Sequence, residues 1–248
     1  MDRWLLAVRL IALFWVSLII SAQIVLTVGA QLDQVNVYSS ADVFLDSGNP
    51  DANFGTGDLT VANGSLGRML IWLKFNLSEV PDGAVISSAI LQLKCSNVLE
   101  PFNVSAHFCS DTSWIEDSIT FNNAPTYDPT PMPDMCPTCG PKSWVIVNDP
   151  LQWYLWDVTF AVNKTVDGVH GGEDIVTIVL EERLEHAQGV EADFVSREGA
   201  LQDVPRMRVA WSHIVPEFPP LHLATSFLAA TLLLPLLYRK MQKHHKLT

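Results

Sequence analysis

Apolar and polar residues alternate along most of the middle of this chain, and this period of two constrains the fold more than any other feature. Residues 69–75, 89–95 and 102–108 each place alternate side chains on opposite faces of an extended strand. Further strands are predicted at 41–45, 59–62, 119–121, 143–147, 175–180, 193–196 and 207–211. Clusters of Gly, Pro, Asn and Asp separate these segments. The pattern predicts an all-β fold, an antiparallel β-sandwich of jelly-roll type.

One helical turn interrupts this pattern. It is predicted to begin near residues 157–159, where Asp157 or Thr159 can cap the amides that follow. Residues 31–214 have the length of a single domain and suffice to build a hydrophobic core.

The N-terminal segment, residues 1–30, is typical of a signal peptide. Arg3 and Arg9 precede an apolar stretch, and small residues end at Ala30, where a signal peptidase could cut. The alternative is an uncleaved N-terminal anchor, because the apolar character continues to residue 28.

The C-terminal region predicts a membrane attachment. Residues 215–220 form a proline-rich linker, residues 221–238 an uncharged apolar helix of about 18 residues, and residues 239–248 a basic tail. Positive charge beside a membrane span stays in the cytoplasm, so the middle of the chain is expected on the extracellular face of the plasma membrane. Membrane lipid is then a partner of this helix.

The exterior part is strongly acidic. Residues 31–215 carry 9 Lys and Arg against 25 Asp and Glu. Such a surface repels nucleic acid, so no nucleic-acid partner is expected. It is suited to a solvated exterior or to holding divalent cations.

Four cysteines, Cys95, Cys109, Cys136 and Cys139, lie in the predicted exterior part, where thiols are normally oxidised. Two disulfides are predicted, with three possible pairings. The alternative for Cys136 and Cys139 is a redox pair or half of a zinc site, although their proline-rich loop is an unusual context for either.

Four Asn-x-Ser/Thr sequons add to the evidence for export. The acceptors are Asn63, Asn76, Asn103 and Asn163. Glycans on these side chains would require an exterior location.

A series of short motifs follows in a fixed order along residues 35–212. It consists of ADVFLDSGNPDANFG at 41–55, LKFNL at 73–77, SAILQL at 88–93, WIEDSITFNNAP at 114–125, WDVT at 156–159, FVSRE at 194–198 and PRMRV at 205–209. This series resembles the DNRLRE domain, also classed as a carbohydrate-binding module family, which occurs in archaeal disaggregatase-related and bacterial surface proteins.

The C-terminal region carries a second resemblance. The stretch VPEFP at 215–219, followed by the apolar span and the basic end, is similar to the PEF-type C-terminal sorting signal of archaeal surface proteins. That resemblance implies processing by an archaeosortase. Two prolines after Phe218 and a long basic tail depart from the pattern and leave a plain membrane anchor as the alternative.

The DNRLRE resemblance implies a β-sandwich that binds polysaccharide without catalysis. Sugar rings pack on exposed aromatic side chains while polar groups bond the hydroxyls. The candidate binding residues are Trp114, Trp144, Trp153, Tyr154, Trp156, Asn122 and Arg197. Core packing is the alternative for each aromatic residue, and a structural ion pair is the alternative for Arg197. Arg197 and Glu198 are predicted to lie adjacent on a strand and to point to opposite faces.

Calcium is the most plausible metal, although no cofactor is required by the sequence. Asp46, Asp51 and Asp58 surround one turn-rich loop and offer the oxygen ligands that this ion prefers. The alternative is that each aspartate bonds to its own backbone.

The resemblance, together with the predicted export and membrane attachment, implies a non-catalytic module for glycan binding or adhesion at the cell surface. A structural envelope protein that binds neighbouring proteins is the alternative. A surface polysaccharide hydrolase or lyase is a third hypothesis, although common catalytic motifs are absent from the sequence.

Overall fold

The computed structural model describes residues 32–65, 67–135, 140–166, 174–183 and 189–212. The predicted signal segment, linker, membrane helix and basic tail lie outside these stretches, as do Cys136 and Cys139. No helix within the described stretches is long and apolar enough to cross a membrane. The span predicted at residues 221–238 stays a prediction.

Ten strands and one helix make up the described part of the chain. They are β1 (Leu32–Asp46), β2 (Leu59–Gly64), β3 (Gly67–Asn76), β4 (Val85–Val98), β5 (Phe102–Cys109), β6 (Trp144–Val147), β7 (Trp153–Asp157), α1 (Thr159–Val166), β8 (Ile175–Glu182), β9 (Val190–Phe194) and β10 (Arg206–Ser212). All pairings between these strands are antiparallel, so the predicted all-β antiparallel class is confirmed. The jelly-roll strand order stays a prediction.

The first sheet has the order β1, β10, β4, β7. Its register sets Tyr38 opposite Arg206, Arg206 opposite Gln92, and Gln92 opposite Leu155. Residues directly opposite each other in neighbouring strands share a face, so these four side chains form one row across the sheet.

The second sheet is centred on β3, which pairs with β1 along one edge and with β8 along the other. β8 continues to β5 and β6, while β2 and β9 connect β3 to the end of β4. The long strands β1 and β4 therefore belong to both sheets. Register shifts at Ser39/Ala41 and at Cys95/Asn97 mark where each strand changes partners, as expected for bulges that bend a strand.

The main core lies between the two sheets. Val37, Leu91 and Met207 from the first sheet pack in one cluster with Leu73 and Ile178 from the second. This arrangement is β-sandwich-like, and burial of these apolar faces is the main stabilising term for such a fold.

A second core covers the outer face of the second sheet. Trp72 and Val179 pack there against Trp114 and Ile119 of residues 110–132, which we call the covering segment. The Lys74 Nζ holds this segment by donating to the carbonyls of Thr112 and Trp114, at 2.8 and 2.6 Å. β3 is therefore buried on both faces.

Two predictions of local structure were wrong and one was confirmed. Residues 119–121 are irregular and not a strand, because Ile119 enters the second core from the covering segment. β7 was not predicted, because its sequence WYLWD has four apolar or aromatic residues in a row and does not alternate with polar ones. The helix after Asp157 is confirmed, and the Asp157 Oδ1 accepts the amide of Thr159 at 3.0 Å.

Candidate functional site

Three of the predicted binding aromatics belong to the core. Trp156 is fully buried and its Nε1 donates to the Val104 carbonyl at 3.0 Å, while Tyr154 and Trp114 are also buried. The indole of Trp114 donates to the Thr177 hydroxyl at 3.1 Å. These three side chains are shielded from a ligand at the surface, so their prediction as binding residues is corrected.

Arg197 lies in the turn after β9 and serves a structural ion pair. Its Nε and Nη2 donate to the two carboxylate oxygens of Glu116 at 2.8 and 2.5 Å. Its Nε also lies 3.1 Å from the Glu198 carboxylate. The expectation that Arg197 and Glu198 point to opposite faces of a strand was wrong, because the strand has already ended at Phe194.

Asp42 is the buried partner of this ion pair. Its backbone amide donates to Glu116 at 2.8 Å, and its Oδ2 accepts the amide of Arg197 at 3.0 Å. The Oδ1 is buried and has no hydrogen-bond partner among the described residues. Burial raises the pKa of Asp42 from its ordinary 3.8 to about 7, because an ionised carboxylate loses its hydration there. Asp42, Glu116 and Arg197 together tie β1, the covering segment and the turn after β9.

Asn122 has a related structural role in a loop. Its side-chain amide donates to the Asp51 carboxylate at 2.7 Å, and its backbone amide donates to the Pro50 carbonyl at 3.0 Å. These contacts fasten the covering segment to the loop after β1.

The three aspartates proposed for calcium each have a separate hydrogen-bond partner. Asp46 accepts the Gly48 amide at 2.7 Å, Asp51 accepts Asn122, and Asp58 accepts the Ser96 hydroxyl at 3.1 Å. No group of three or more His, Cys, Asp or Glu side chains in the described stretches could hold a metal ion. The structure therefore does not assemble these aspartates into a site.

Two of the four cysteines lie in the described stretches. Cys95 and Cys109 are buried free thiols, and burial raises the pKa of Cys95 to about 11 and raises the pKa of Cys109. The structure thus corrects the expectation of disulfides at these two positions. For Cys136 and Cys139, pairing stays a prediction.

The four sequon asparagines differ in accessibility. Asn76 is exposed at the end of β3, whereas Asn63, Asn103 and Asn163 are half-buried. The Asn63 side chain donates to the Glu182 carboxylate at 2.9 Å. Glycosylation stays a prediction, and Asn76 has the most accessible side chain for it.

Trp153 lies on the outer face of the first sheet, beside two basic side chains. The Arg206 guanidinium lies 4.3 Å from the centroid of the Trp153 ring, and the Lys94 Nζ lies 5.8 Å from it. The Arg206 Nε also donates to the Gln92 side chain at 2.9 Å, which holds the guanidinium across the sheet. Cation–π contacts of this kind keep both partners ordered at a surface.

The alternation of exposed and buried positions defines the rest of this face. We call it the Trp153 face, and it comprises Asn36, Tyr38, Gln92, Lys94, Trp153, Leu155, Arg206 and Arg208. Tyr38 and Leu155 are exposed, at 46% and 38%. The face is built on four paired strands, so its side chains are set by a rigid and extended backbone.

Trp144 of β6 lies opposite Ser105, on the outer side of the second sheet, and is half-buried. The Lys142 Nζ lies 5.2 Å and the Arg183 guanidinium 5.7 Å from its ring. Trp144 therefore belongs to a different face from Trp153. Three of the nine basic residues in 31–215 lie on the Trp153 face, namely Lys94, Arg206 and Arg208. The Lys94 Nζ also lies 3.7 Å from the Asp203 carboxylate.

A buried polar cluster lies below the covering segment. Glu181 accepts hydrogen bonds from Arg68 and from the Tyr127 hydroxyl, and its Oε1 lies 3.1 Å from the His107 Nε2. The Ser105 hydroxyl is 2.8 Å from the same nitrogen. These residue types can form a catalytic site, but His107 and Ser105 are each 1% exposed, and burial lowers the pKa of His107 and raises the pKa of Tyr127. The cluster has the properties of a structural network.

A sequence model of carbohydrate-binding module family 96 matches residues 33–209, more than half of the chain. The chain belongs to this family. A comparison with curated proteins gave no match. The predicted membership of a carbohydrate-binding module family is thereby confirmed, whereas the DNRLRE name and the archaeal sorting signal stay predictions.

Sequence reasoning found Trp153 and Trp144 but missed the basic residues around them. Lys94, Arg206 and Arg208 each occupy the polar positions of an alternating strand. That alternation was the available signal, but the pairing of β4 with β7 and β10 was needed to bring them to Trp153.

Proposed function

We propose that this protein is a non-catalytic carbohydrate-binding or adhesion module of the cell surface, and that it binds polysaccharide on the Trp153 face. The observation that carries the proposal is the half-exposed Trp153 ring with Arg206 and Lys94 beside it, on an exposed sheet face. Membership of a carbohydrate-binding module family supports the ligand class.

The chemistry of the face fits a sugar chain. The apolar C–H face of a sugar ring packs on an indole, and the neighbouring side chains of Gln92, Arg206 and Asn36 can bond its hydroxyl groups. Carboxylated sugars gain further attraction from the local positive charge. A flat face suits an extended polymer, because several rings can lie along it.

The cellular arrangement completes the proposal. The apolar N-terminal segment and the C-terminal span with its basic tail support export and attachment to membrane lipid, with the module outside. If an archaeosortase cuts the chain near residues 215–219, the apolar span is removed and the module is attached to lipid at its new C-terminus. Either arrangement presents many copies on one surface, where weak binding is strengthened by avidity.

Binding of the full chain to a panel of polysaccharides tests this proposal. The panel contains uronate polymers and neutral glycans, and each is measured with calcium and with a chelator. Saturable binding to at least one class is expected. If that binding is lost in chelator, a cation bridges the protein and the polysaccharide. If the chain binds no member of the panel, the proposal is contradicted and a structural envelope protein is favoured.

A further inference from the structure

A row of side chains crosses all four strands of the first sheet on its outer face. In order across the sheet these are Tyr38 of β1, Arg206 of β10, Gln92 of β4 and Leu155 of β7. We call them the cross-strand row. Neighbouring strands lie about 4.8 Å apart, so the row spans about 14 Å from β1 to β7. The row therefore has the dimensions of a short extended ligand.

The middle of the row is polar. The Arg206 Nε donates to the Gln92 side chain at 2.9 Å, and this bond is the only one that the guanidinium makes to the described residues. A guanidinium has five N–H donors, so most of them remain for a ligand. The same guanidinium lies 4.3 Å from the centroid of the Trp153 ring. The middle of the row and the Trp153 ring thus belong to one site.

The two ends of the row are apolar and exposed. Tyr38 is 46% exposed and Leu155 is 38% exposed. The Tyr38 side chain makes no hydrogen bond, ion pair or ring contact with the described part of the chain. A tyrosine ring offers a large, rigid contact surface and loses little conformational entropy when a ligand binds. Tyr38 is therefore available for a ligand that extends from Trp153 across the sheet.

A polar centre between two apolar ends, repeated at the strand spacing, fits an extended sugar chain. Each residue of a β-1,4-linked chain advances by nearly the distance between two strands, so a chain laid across the sheet places one sugar over each strand. The sugar over β1 packs its C–H face on Tyr38, and its neighbours offer hydroxyl groups to Arg206 and Gln92. A chain that followed β1 would leave the groups on β4 and β7 unused.

From this geometry we infer that the Trp153 face binds four consecutive residues of an extended β-1,4-linked sugar chain that lies across the strands, with Tyr38 as a second stacking residue at the β1 end. This inference rests on the proposed function, because it names the ligand shape and a further binding residue of the same site. Single sugars and helical glycans contact only part of the row and are expected to bind weakly.

Binding of oligosaccharides of increasing length to the full chain tests the inference. The probes are β-1,4-linked oligomers of glucose, mannose, xylose and glucuronate with two to six residues, and α-1,4-linked glucose oligomers of the same lengths. In calorimetry, the affinity for at least one β-1,4-linked series is expected to rise from two residues to four and then to level off. The α-1,4-linked oligomers curl and cover fewer strands, so they should show no such rise. No rise in any β-1,4-linked series, or an equal rise in the α-1,4-linked series, would overturn the inference.

Two variants of Tyr38 and one control locate the chain on the sheet. Tyr38→Ala removes the ring and is expected to weaken binding of the six-residue oligomer about tenfold or more. Tyr38→Phe keeps the ring and should bind nearly as the native chain does. Leu32→Ala is the matched control, because Leu32 is exposed on the same strand and face, about 20 Å from Tyr38. Equal losses in Tyr38→Ala and Leu32→Ala would show that the sugar chain runs along β1 and would reject the cross-strand arrangement.

The outcomes distinguish this inference from the proposed function. Loss of polysaccharide binding in Trp153→Ala together with native affinity in Tyr38→Ala would retain the proposed function and reject the role of Tyr38. Weaker binding in Tyr38→Ala with an unchanged circular dichroism spectrum would support the inference. If the native chain bound neither polysaccharide nor oligosaccharide, both proposals would be rejected.

Discussion

Arg197 and Glu116 form a bidentate ion pair that joins the turn after β9 to the covering segment. The Glu116 side chain is largely buried, whereas that of Arg197 is partly exposed. The pair therefore fastens the segment that closes the second core. Arg197 of the FVSRE motif was predicted to bind a ligand, but in the structure it forms an ion pair that holds two segments of the fold together.

Arg197→Ala should destabilise the fold by about 2 kcal/mol, because it leaves the Glu116 carboxylate without its charged donor. Urea unfolding measures this change in the free energy of unfolding. Arg208→Ala removes the same charge from an exposed position and should have little effect. Equal stabilities of the two variants would show that the ion pair contributes nothing.

Asp42 should make the stability depend on pH. Its pKa is raised by burial to about 7, so the folded state holds a proton that the unfolded state releases above pH 3.8. The contribution of Asp42 is therefore fully present below pH 3.8 and is lost as the pH rises toward 7. At pH values well above 7, the contribution of Asp42 to the free energy of unfolding no longer changes with pH.

Asp42→Asn isolates this effect from other carboxylates. The amide is neutral at every pH, so the difference in unfolding free energy between variant and native chain should shift in favour of the variant as the pH rises from 4 to 7. Denaturant unfolding at several pH values measures it. A difference that is independent of pH would mean that Asp42 titrates at its ordinary value.

Asp157 caps the helix and also holds the chain before residue 136. Its Oδ1 accepts the Thr159 amide, and its Oδ2 accepts the Met135 amide at 2.9 Å. Asp157→Ala should therefore cost about 2 kcal/mol in thermal or urea unfolding, from loss of the cap and of a buried acceptor. Asp149→Ala, an exposed carboxylate nearby, is the control and should be close to neutral. Similar losses in both variants would contradict the capping role.

The sequence was sufficient to predict the elements that bury one face of a strand. The alternation in residues 89–95 and 102–108 reflects a sheet with distinct inner and outer sides, and both segments lie in strands. The strand predicted at residues 119–121 is absent because Ile119 is buried by packing of an irregular segment. A period of two does not distinguish that case from a strand.

The candidate sites were harder to predict because they depend on register. Trp153 was found from its residue type, but its partners Arg206 and Lys94 come from other strands. Trp72 appeared as an ordinary strand residue, and only the path of the covering segment buries its outer face. The pairing of strands that are far apart in the chain cannot be read from the alternation of residues within one strand.

The effect of Trp153→Ala on polysaccharide binding tests the central claim most directly. With the polysaccharide that the native chain binds best, the account predicts at least a tenfold loss of affinity, equivalent to about 1.4 kcal/mol, since the indole supplies the packing surface of the face. Arg206→Gln should weaken binding of a uronate polymer more than that of a neutral glycan. Leu201→Ala, an exposed apolar position, should bind as the native chain does. Native affinity in Trp153→Ala would contradict the claim that the Trp153 face is the polysaccharide site.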